Sequence, residues 1–332
     1  MRAIRLHAFG PAENLTYEKA PDPLPAPGQV RIAVTAAGVH LLDTALRQGV
    51  PGPFPAPAEL PTVPGREVAG TVDALGEGTD PAWLGKRVVA HLGMAPGGYA
   101  ELAVTDATRL HEIPPGLEDA EAVAMIGTGR TTLGIVQFTE LGPGGVALVT
   151  AAAGGIGTLL VQYAKNAGAT VIGLAGGPEK VARVLANGAD LAVDYTRPDW
   201  PDEVRAYLKE RSATVLYDAV GGATGRAAVD LLDRGGQHVV YGWAGKGPHD
   251  GEPLTLTDAE LAERGITSMS VLGPVMLRKA GGDVRALELR ALAEAAAGRL
   301  RPAVQRFPLA DAATAHRALE TRATMGKVVL VP

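Results

Sequence analysis

The sequence predicts a two-domain α/β protein: a doubly wound parallel sheet that carries a nucleotide-binding turn, together with a β-rich, barrel-like domain. Three observations predict it. A strand-like run from Val146 to Thr150 leads through the turn Ala152-Ala153-Gly154-Gly155-Ile156-Gly157 into a helix-like run ending near Ala167. Apolar strand-like and helical segments then alternate to about residue 272, the pattern of a sheet with helices on both faces. The first 120 residues are instead short apolar runs broken by turns. A chain of 332 residues is long for one hydrophobic core, so two domains are expected.

In chain order, the early strand candidates are Gln29 to Thr35, Val68 to Val72, Arg87 to His91 and Tyr99 to Val104. Prolines cluster from Pro21 to Pro64, with a dense run from Pro51 to Pro57, and are expected in loops or at sheet edges because proline lacks a ladder donor. The pattern turns helical after Ile113-Pro114-Pro115-Gly116, across Leu117 to Met125, which marks the domain junction. Strands are expected over Thr170 to Leu174, Leu191 to Val193, Ala213 to Tyr217, Gln237 to Tyr241 and Ile266 to Leu272. A strand from Arg301 to Leu309, a helix from Asp311 to Glu320 and a strand within Gly326 to Val331 close the sequence and are expected to pack on the first domain. The resulting division is 1–122, 123–271 and a returning segment 272–332.

The turn between Val146 and Ala167 carries the most chemistry. Gly154 lets a pyrophosphate approach the backbone, Gly157 lets the helix lie close to its strand, and the N–H groups around Gly155 and Ile156 open a helix N-terminus that favours an anion. Ala152 stands where the usual fingerprint has its first glycine. The bland alternative is a buried strand-turn-helix without a ligand. At the next strand tip, where NAD-specific proteins place a carboxylate, the sequence reads Ala175-Gly176-Gly177-Pro178-Glu179-Lys180. Gly176 leaves room for a 2′-phosphate, Lys180 offers a counter-charge and Tyr195 a hydroxyl, so the expected cofactor is NADPH rather than NADH. The competing reading makes Lys180 and Arg183 a solvated helix face.

Bulk properties exclude several classes. A formal charge of −5 gives no electrostatic ground for general binding to nucleic acid or anionic membrane. The absence of cysteine excludes disulfides, thiolate nucleophiles and cysteine-held zinc. The uncharged stretch from Leu141 to Ala164 is broken by glycines and a proline and does not read as a membrane span. Met1 to Gly10 has no apolar signal region, and a cytoplasmic setting is expected.

Several motifs in one order carry a resemblance: Ala36 to Thr44 with Arg47 and Gly49, Pro64 to Val72, Gly85 to Val88, Gly97 to Glu101, Gly129 to Thr132, Ala152 to Gly157, Asp218 to Gly221, Ala315-His316 and Gly326 to Leu330. Nearly end to end, the chain resembles the medium-chain dehydrogenase/reductase superfamily, in its zinc-free quinone oxidoreductase (zeta-crystallin-like) branch. The resemblance implies a GroES-like catalytic barrel built from both chain ends, a Rossmann domain between them, an active site in the intervening cleft and a homodimer. Zinc-dependent relatives hold the metal with a cysteine near position 40, a histidine near 66 and a cysteine near 127; here those positions are His40, Arg66 and Gly127, so no metal is expected.

By the same resemblance His40 contacts the acceptor oxygen or relays its proton, although the branch commonly carries asparagine there. A structural histidine bonded to backbone or to Asp43 is the alternative. Asp43 matches an acidic position that orients site groups, against a plain helix cap. Arg47 serves the site electrostatically, against an ordinary ion pair. Thr131 approaches the nicotinamide end, against a helix-start hydroxyl. Gly242, Trp243, Leu272 and Gly273 follow later strands where the family passes nicotinamide ribose and carboxamide, with an interface role as the alternative for Trp243. Lys327 resembles a lysine near the cofactor phosphate.

Without zinc to lower an alcohol's pKa, such a site suits reduction of an already polarised acceptor, a quinone or an enone, whose reduced anion is delocalised. The competing readings are an enoyl-thioester reductase, disfavoured by the lack of tyrosine between Gln48 and Pro61, and a non-catalytic NADPH-binding sensor.

Overall fold

The computed structural model describes residues 1–50, 56–93, 95–244 and 253–332. The Pro51 to Pro55 part of the proline run, and with it part of the Gln48–Pro61 loop, lies outside the described residues. The chain forms two compact units, one comprising 1–128, 288–296 and 302–332, the other 129–287 and 297–301.

Alternating apolar residues build the first unit around a sheet of seven strands among the described residues, six of them in one path. Its order is Val304–Pro308, Lys327–Val331, Gln29–Val39, Glu67–Leu75, Arg87–His91 and His111–Glu112, with Leu102–Asp106 paired to Gln29–Val39 beside that path. Only the first pair, Val304–Pro308 with Lys327–Val331, is parallel. The Gln29–Val39 strand buries Val30, Ile32 and Val34 against Val68, Val72, Val88 and Leu110, giving the unit its core. The end of the sequence does return to the barrel: Val328 pairs with Val39 and Leu330 with Ala37.

The second unit holds a six-stranded, wholly parallel sheet in the order Leu191–Asp194, Thr170–Ala175, Val146–Val149, Ala213–Asp218, Leu232–Val240, Thr267–Ser270. Strands buried on both faces are continuous apolar runs, as Val146–Val149 shows with all four residues buried. The order reverses beside Val146–Val149. That is the doubly wound switch point at which ligands collect outside the strands' carboxyl ends.

The unit boundaries differ from the sequence reading at both ends. The helix Asp119–Ala124 buries Ala120, Ala122, Val123 and Ala124 and packs on the Gln29–Val39 strand, so the first unit runs past 122 to 128. The return comes at 288 rather than 272, because the helix Pro274–Lys279 packs on the helix Arg130–Val136, with Met276 filling the space over Gly134. Leu232–Val240 begins five residues before the expected Gln237. Among the described residues, no helix is long and apolar enough to cross a membrane.

Candidate active site

In the second unit the Val146–Val149 strand ends in a tight turn and the helix Gly155–Asn166 starts at once, with Gly154 as its extended N-cap. A Cβ on Gly157 would stand 2.7 Å from Ala152 Cα and 2.9 Å from the Ala151 carbonyl carbon, so only glycine lets the helix lie this close to the strand. A Cβ on Gly154 would meet nothing nearer than the Ala151 oxygen at 3.2 Å. That open side lies at a helix N-terminus with no side-chain cap, where backbone N–H groups favour an anion. Ala152 is fully buried, and Ala151 carries a positive φ of 49°, a conformation alanine adopts only under the constraint of its surroundings.

The structure brings Gly176 and Tyr195 together: a Cβ at Gly176 would lie 3.4 Å from the Tyr195 hydroxyl. Lys180 lies in the first turn of the helix Pro178–Ala186 that follows. A carboxylate that the sequence reading did not weigh, Asp194, ends the adjacent strand. It accepts the Gly177 N–H at 3.0 Å and the Thr196 hydroxyl at 2.7 Å, and the Gly177 bond leads the effects that lower its pKa. Asp194 therefore builds the turn beneath Gly176.

Gly242, Trp243, Leu272 and Gly273 follow the last two strands of the parallel sheet and share the carboxyl edge with Gly154. Thr131, half-buried, lies in the first turn of the helix Arg130–Val136, which continues from a π-helical turn, Met125–Gly129. Behind this edge lies a buried polar network that hydrophobic periodicity gave no means of finding. Asp218 accepts from the Thr150 hydroxyl at 3.0 Å and from the N–H groups of Val220 and Gly221 at 2.9 and 3.1 Å. His238 reaches Asp218 at 3.4 Å and Ser268 at 2.9 Å, and the Tyr241 hydroxyl donates to the Thr150 carbonyl at 3.2 Å. Burial opposes ionisation of Asp218, yet the His238 bond and the two backbone N–H groups lower its pKa. The network fixes the loop Ala219–Gly221 at the sheet's switch point.

In the first unit His40 ends the Gln29–Val39 strand and caps the helix Leu41–Arg47. Its Nε2 lies 2.7 Å from Glu67 Oε1 and 3.0 Å from Lys327 Nζ, and that ammonium lies 2.8 Å from Glu67 Oε2. Glu67 is fully buried and Lys327 nearly so, whereas the His40 side chain is 26% exposed. Burial works against a charge on Glu67, but the charges of His40 and Lys327 hold its carboxyl well below the usual range. Two glycines make the space. A Cβ on Gly38 would stand 3.1 Å from Lys327 Cε and nearer still to Glu67, and one on Gly127 would overlap the Glu67 carboxylate outright. Lys327, expected beside a cofactor phosphate, thus has its charge on Glu67.

Asp43 and Arg47 are buried in a second network. Asp43 accepts the His40 backbone N–H and the Tyr99 hydroxyl, each at 2.8 Å, so it is a helix cap that also steadies the backbone of His40. Arg47 binds Glu320 through two nitrogens, donates to the Gly10 carbonyl at 2.9 Å and faces His316 Nδ1 at 3.4 Å, while His316 Nε2 reaches the Tyr99 hydroxyl at 3.2 Å. Burial lowers the His316 pKa to about 4, and burial with the neighbouring Asp43 charge pushes the Tyr99 phenol well up. Both networks include residues the sequence reading did not place in the site: Glu67, Tyr99, His316 and Glu320. A recess walled by Leu6, Leu46, Pro64 and Pro96 is also lined by Asp43, Arg47 and Arg66.

The positions that hold zinc in metal-dependent relatives do not fit that ion. Gly127 offers no ligand and the Glu67 carboxylate fills the room a side chain there would need; Arg66 is a cation; and the Lys327 ammonium and the Glu67 carboxylate already lie against His40 Nε2. Among the described residues, no three histidine, aspartate or glutamate side chains are grouped to hold a metal.

Residues 26–115 match the alcohol dehydrogenase GroES-like domain, and residues 155–280 match the family described as zinc-binding dehydrogenase. The quinone oxidoreductase of Pseudomonas aeruginosa is 34% identical, with 100% of this chain and 99% of that protein covered. The chain belongs to the quinone oxidoreductase branch of the medium-chain dehydrogenase/reductase family. It is an oxidoreductase with a Rossmann-type sheet and a GroES-like domain. A 2-haloacrylate reductase of a Burkholderia species is 32% identical, covering 99% of this chain and 98% of that protein. The structure of Escherichia coli quinone oxidoreductase complexed with NADPH superimposes with a TM-score of 0.83 at 27% identity, covering 100% of both chains.

Proposed function

We propose that this protein is a zinc-independent, NADPH-dependent reductase of quinones or activated alkenes. The observation that carries the reading is what stands at the family's metal-ligand positions: His40 is engaged by Glu67 and Lys327, Arg66 is a cation, and Gly127 offers no ligand. When bound, NADPH supplies a hydride. The acceptor takes that hydride at an electron-poor carbon and one proton at the oxygen or α-carbon, so the balance is NADPH, H⁺ and acceptor giving NADP⁺ and the reduced acceptor. Gly154 and Gly157 with the helix N-terminus hold the pyrophosphate, Gly176, Lys180 and Tyr195 receive the 2′-phosphate, and Thr131, Gly242, Trp243, Leu272 and Gly273 line the path to the nicotinamide. His40, the partly exposed member of its cluster, stabilises the anion formed on the acceptor and passes it the proton, which solvent replaces.

The test is NADPH oxidation over a panel of 1,4-quinones, ortho-quinones, enones, haloacrylates and enoyl thioesters, before and after treatment with a zinc chelator. Turnover of quinones or enones that survives chelation is expected. Activity confined to enoyl thioesters, or abolished by chelation and restored by zinc, overturns the reading. A cytoplasmic homodimer belongs to the same proposal, and light scattering on the purified protein tests the dimer.

A further inference from the structure

Three adjacent strands bring one ion cluster to one end of the first unit's sheet. Lys327 opens the strand Lys327–Val331, His40 directly follows Gln29–Val39, and Glu67 opens Glu67–Leu75; these strands lie side by side, with Val328 opposite Val39 and Val68 opposite Ala37. An ion pair as deeply buried as Glu67 with Lys327 adds little stability compared with apolar residues of the same volume. It can, however, fix a third group. Here both ions converge on one nitrogen: Nε2 of His40 has the carboxylate at 2.7 Å and the ammonium at 3.0 Å. Nε2 has one hydrogen to give the carboxylate or one lone pair to take a hydrogen from the ammonium, so the ion pair sets both the ring orientation and the nitrogen that carries the hydrogen. The glycines at 38 and 127 leave the room the carboxylate occupies, since a Cβ at either would collide with it.

We propose that Lys327 and Glu67 are positioning residues for His40: Lys327 is the fixed cation of the site, locks Glu67 in place, and together with it sets the ring orientation and hydrogen placement with which His40 meets the acceptor. The catalytic part of this inference rests on the reductase reading above; the structural part does not. An ammonium fixed by a carboxylate gives the site a positive charge with no metal to load or lose. Lys327→Met keeps the length and bulk of the stem and removes only the charge, while Lys327→Arg keeps the charge.

The experiment has two arms. In the first, imidazole nitrogen chemical shifts are recorded on the full protein at one fixed pH, with His40 assigned by its loss in His40→Asn. Lys327→Met is expected to change the His40 nitrogen shifts, and Lys327→Arg to keep them close to the parent. Unchanged His40 shifts in a folded Lys327→Met protein overturn the proposal, whatever the enzyme reduces. In the second arm, kcat for the best acceptor is expected to fall by about tenfold or more in Lys327→Met and in Glu67→Gln, and not much further in the double variant, with NADPH affinity and acceptor KM nearly unchanged and Lys327→Arg recovering most of the loss. A weakened NADPH affinity with intact kcat overturns it in favour of a phosphate-binding role for Lys327. A parent that reduces no acceptor defeats the reductase reading and leaves the first arm to decide the positioning role.

Discussion

Gly154 and Gly157 are three residues apart in one turn, yet substitution at each should fail in a different way. At Gly157 an added methyl would stand 2.7 Å from Ala152 Cα and nearer still to the Ala151 carbonyl oxygen, whereas ordinary contact begins near 3.4 Å, so the helix must withdraw from its strand by at least about 0.7 Å. Both partners are backbone and cannot rotate away. Overpacking of this kind costs about 2 kcal/mol, a fall in Tm of about 6 °C for a unit of this size. At Gly154 the methyl meets only one carbonyl oxygen, at 3.2 Å, and φ is an ordinary −76°, so the fold should lose less than about 0.5 kcal/mol. The methyl would nevertheless occupy the open side of the helix N-terminus, and the Kd for NADPH should rise by about tenfold to a hundredfold, equivalent to about 1.4–2.8 kcal/mol. Thermal melts with and without NADPH, paired with fluorescence titration, read both quantities. Parent-like NADPH affinity in Gly154→Ala, or a parent-like melt in Gly157→Ala, would refute the reasoning.

Three further predictions concern charge. His316 is held neutral, with its pKa lowered to about 4 from an unfolded value near 6.5, so the unfolded chain binds the extra proton across that window and stability falls as pH drops through it, by about 3 kcal/mol at the acid end; the acid-side slope of Tm should flatten in His316→Gln, and an unchanged slope would remove His316 from the account. Arg47→Met deprives Glu320 of its two bonds and should destabilise the first unit by about 3 kcal/mol, while kcat in the surviving folded protein stays within about threefold; a stable, inactive variant would return Arg47 to the chemistry. Lys180→Ala should raise the Kd for NADPH by about tenfold and leave that for NADH unchanged, and equal losses for both would show that Lys180 does not recognise the 2′-phosphate.

Much of the fold was legible because its signals are local. Strands buried on both faces are continuous apolar runs, and those at 146–149, 170–175 and 213–218 stand within one residue of their expected bounds. The nucleotide turn was legible because its glycines are set by backbone proximity, and Gly157 has no alternative against Ala151 and Ala152. The ends of the units were less visible. Whether Ala120 to Ala124 and the 274–279 helix belong to one core or the other depends on contacts such as Met276 over Gly134, which leave no periodic trace. The site was half legible. His40 could be named from the motif around it, but Glu67 reads as the first residue of a strand and Lys327 as a charge before the last one. Their meeting is a matter of sheet order, with residues 260 positions apart on either side of the central Gln29–Val39 strand. Asp43 and Arg47, read from the same motif, turned out to hold buried bonds to Tyr99 and Glu320 that no spacing announces.

The strand Lys327–Val331 is an interior strand of the first unit's sheet, hydrogen-bonded on both sides, although it follows the whole parallel sheet of the second unit in sequence. During synthesis the parallel sheet, complete by Ser270, has all its strands clear of the exit tunnel while the first unit still lacks an interior strand and the ammonium that neutralises Glu67. A nascent chain stalled before residue 327 would carry a buried acid without the Lys327 counter-ion and unpaired backbone groups at Ala37–Val39. The order of translation thus makes the strands of the parallel sheet available first and the His40–Glu67–Lys327 cluster only after them.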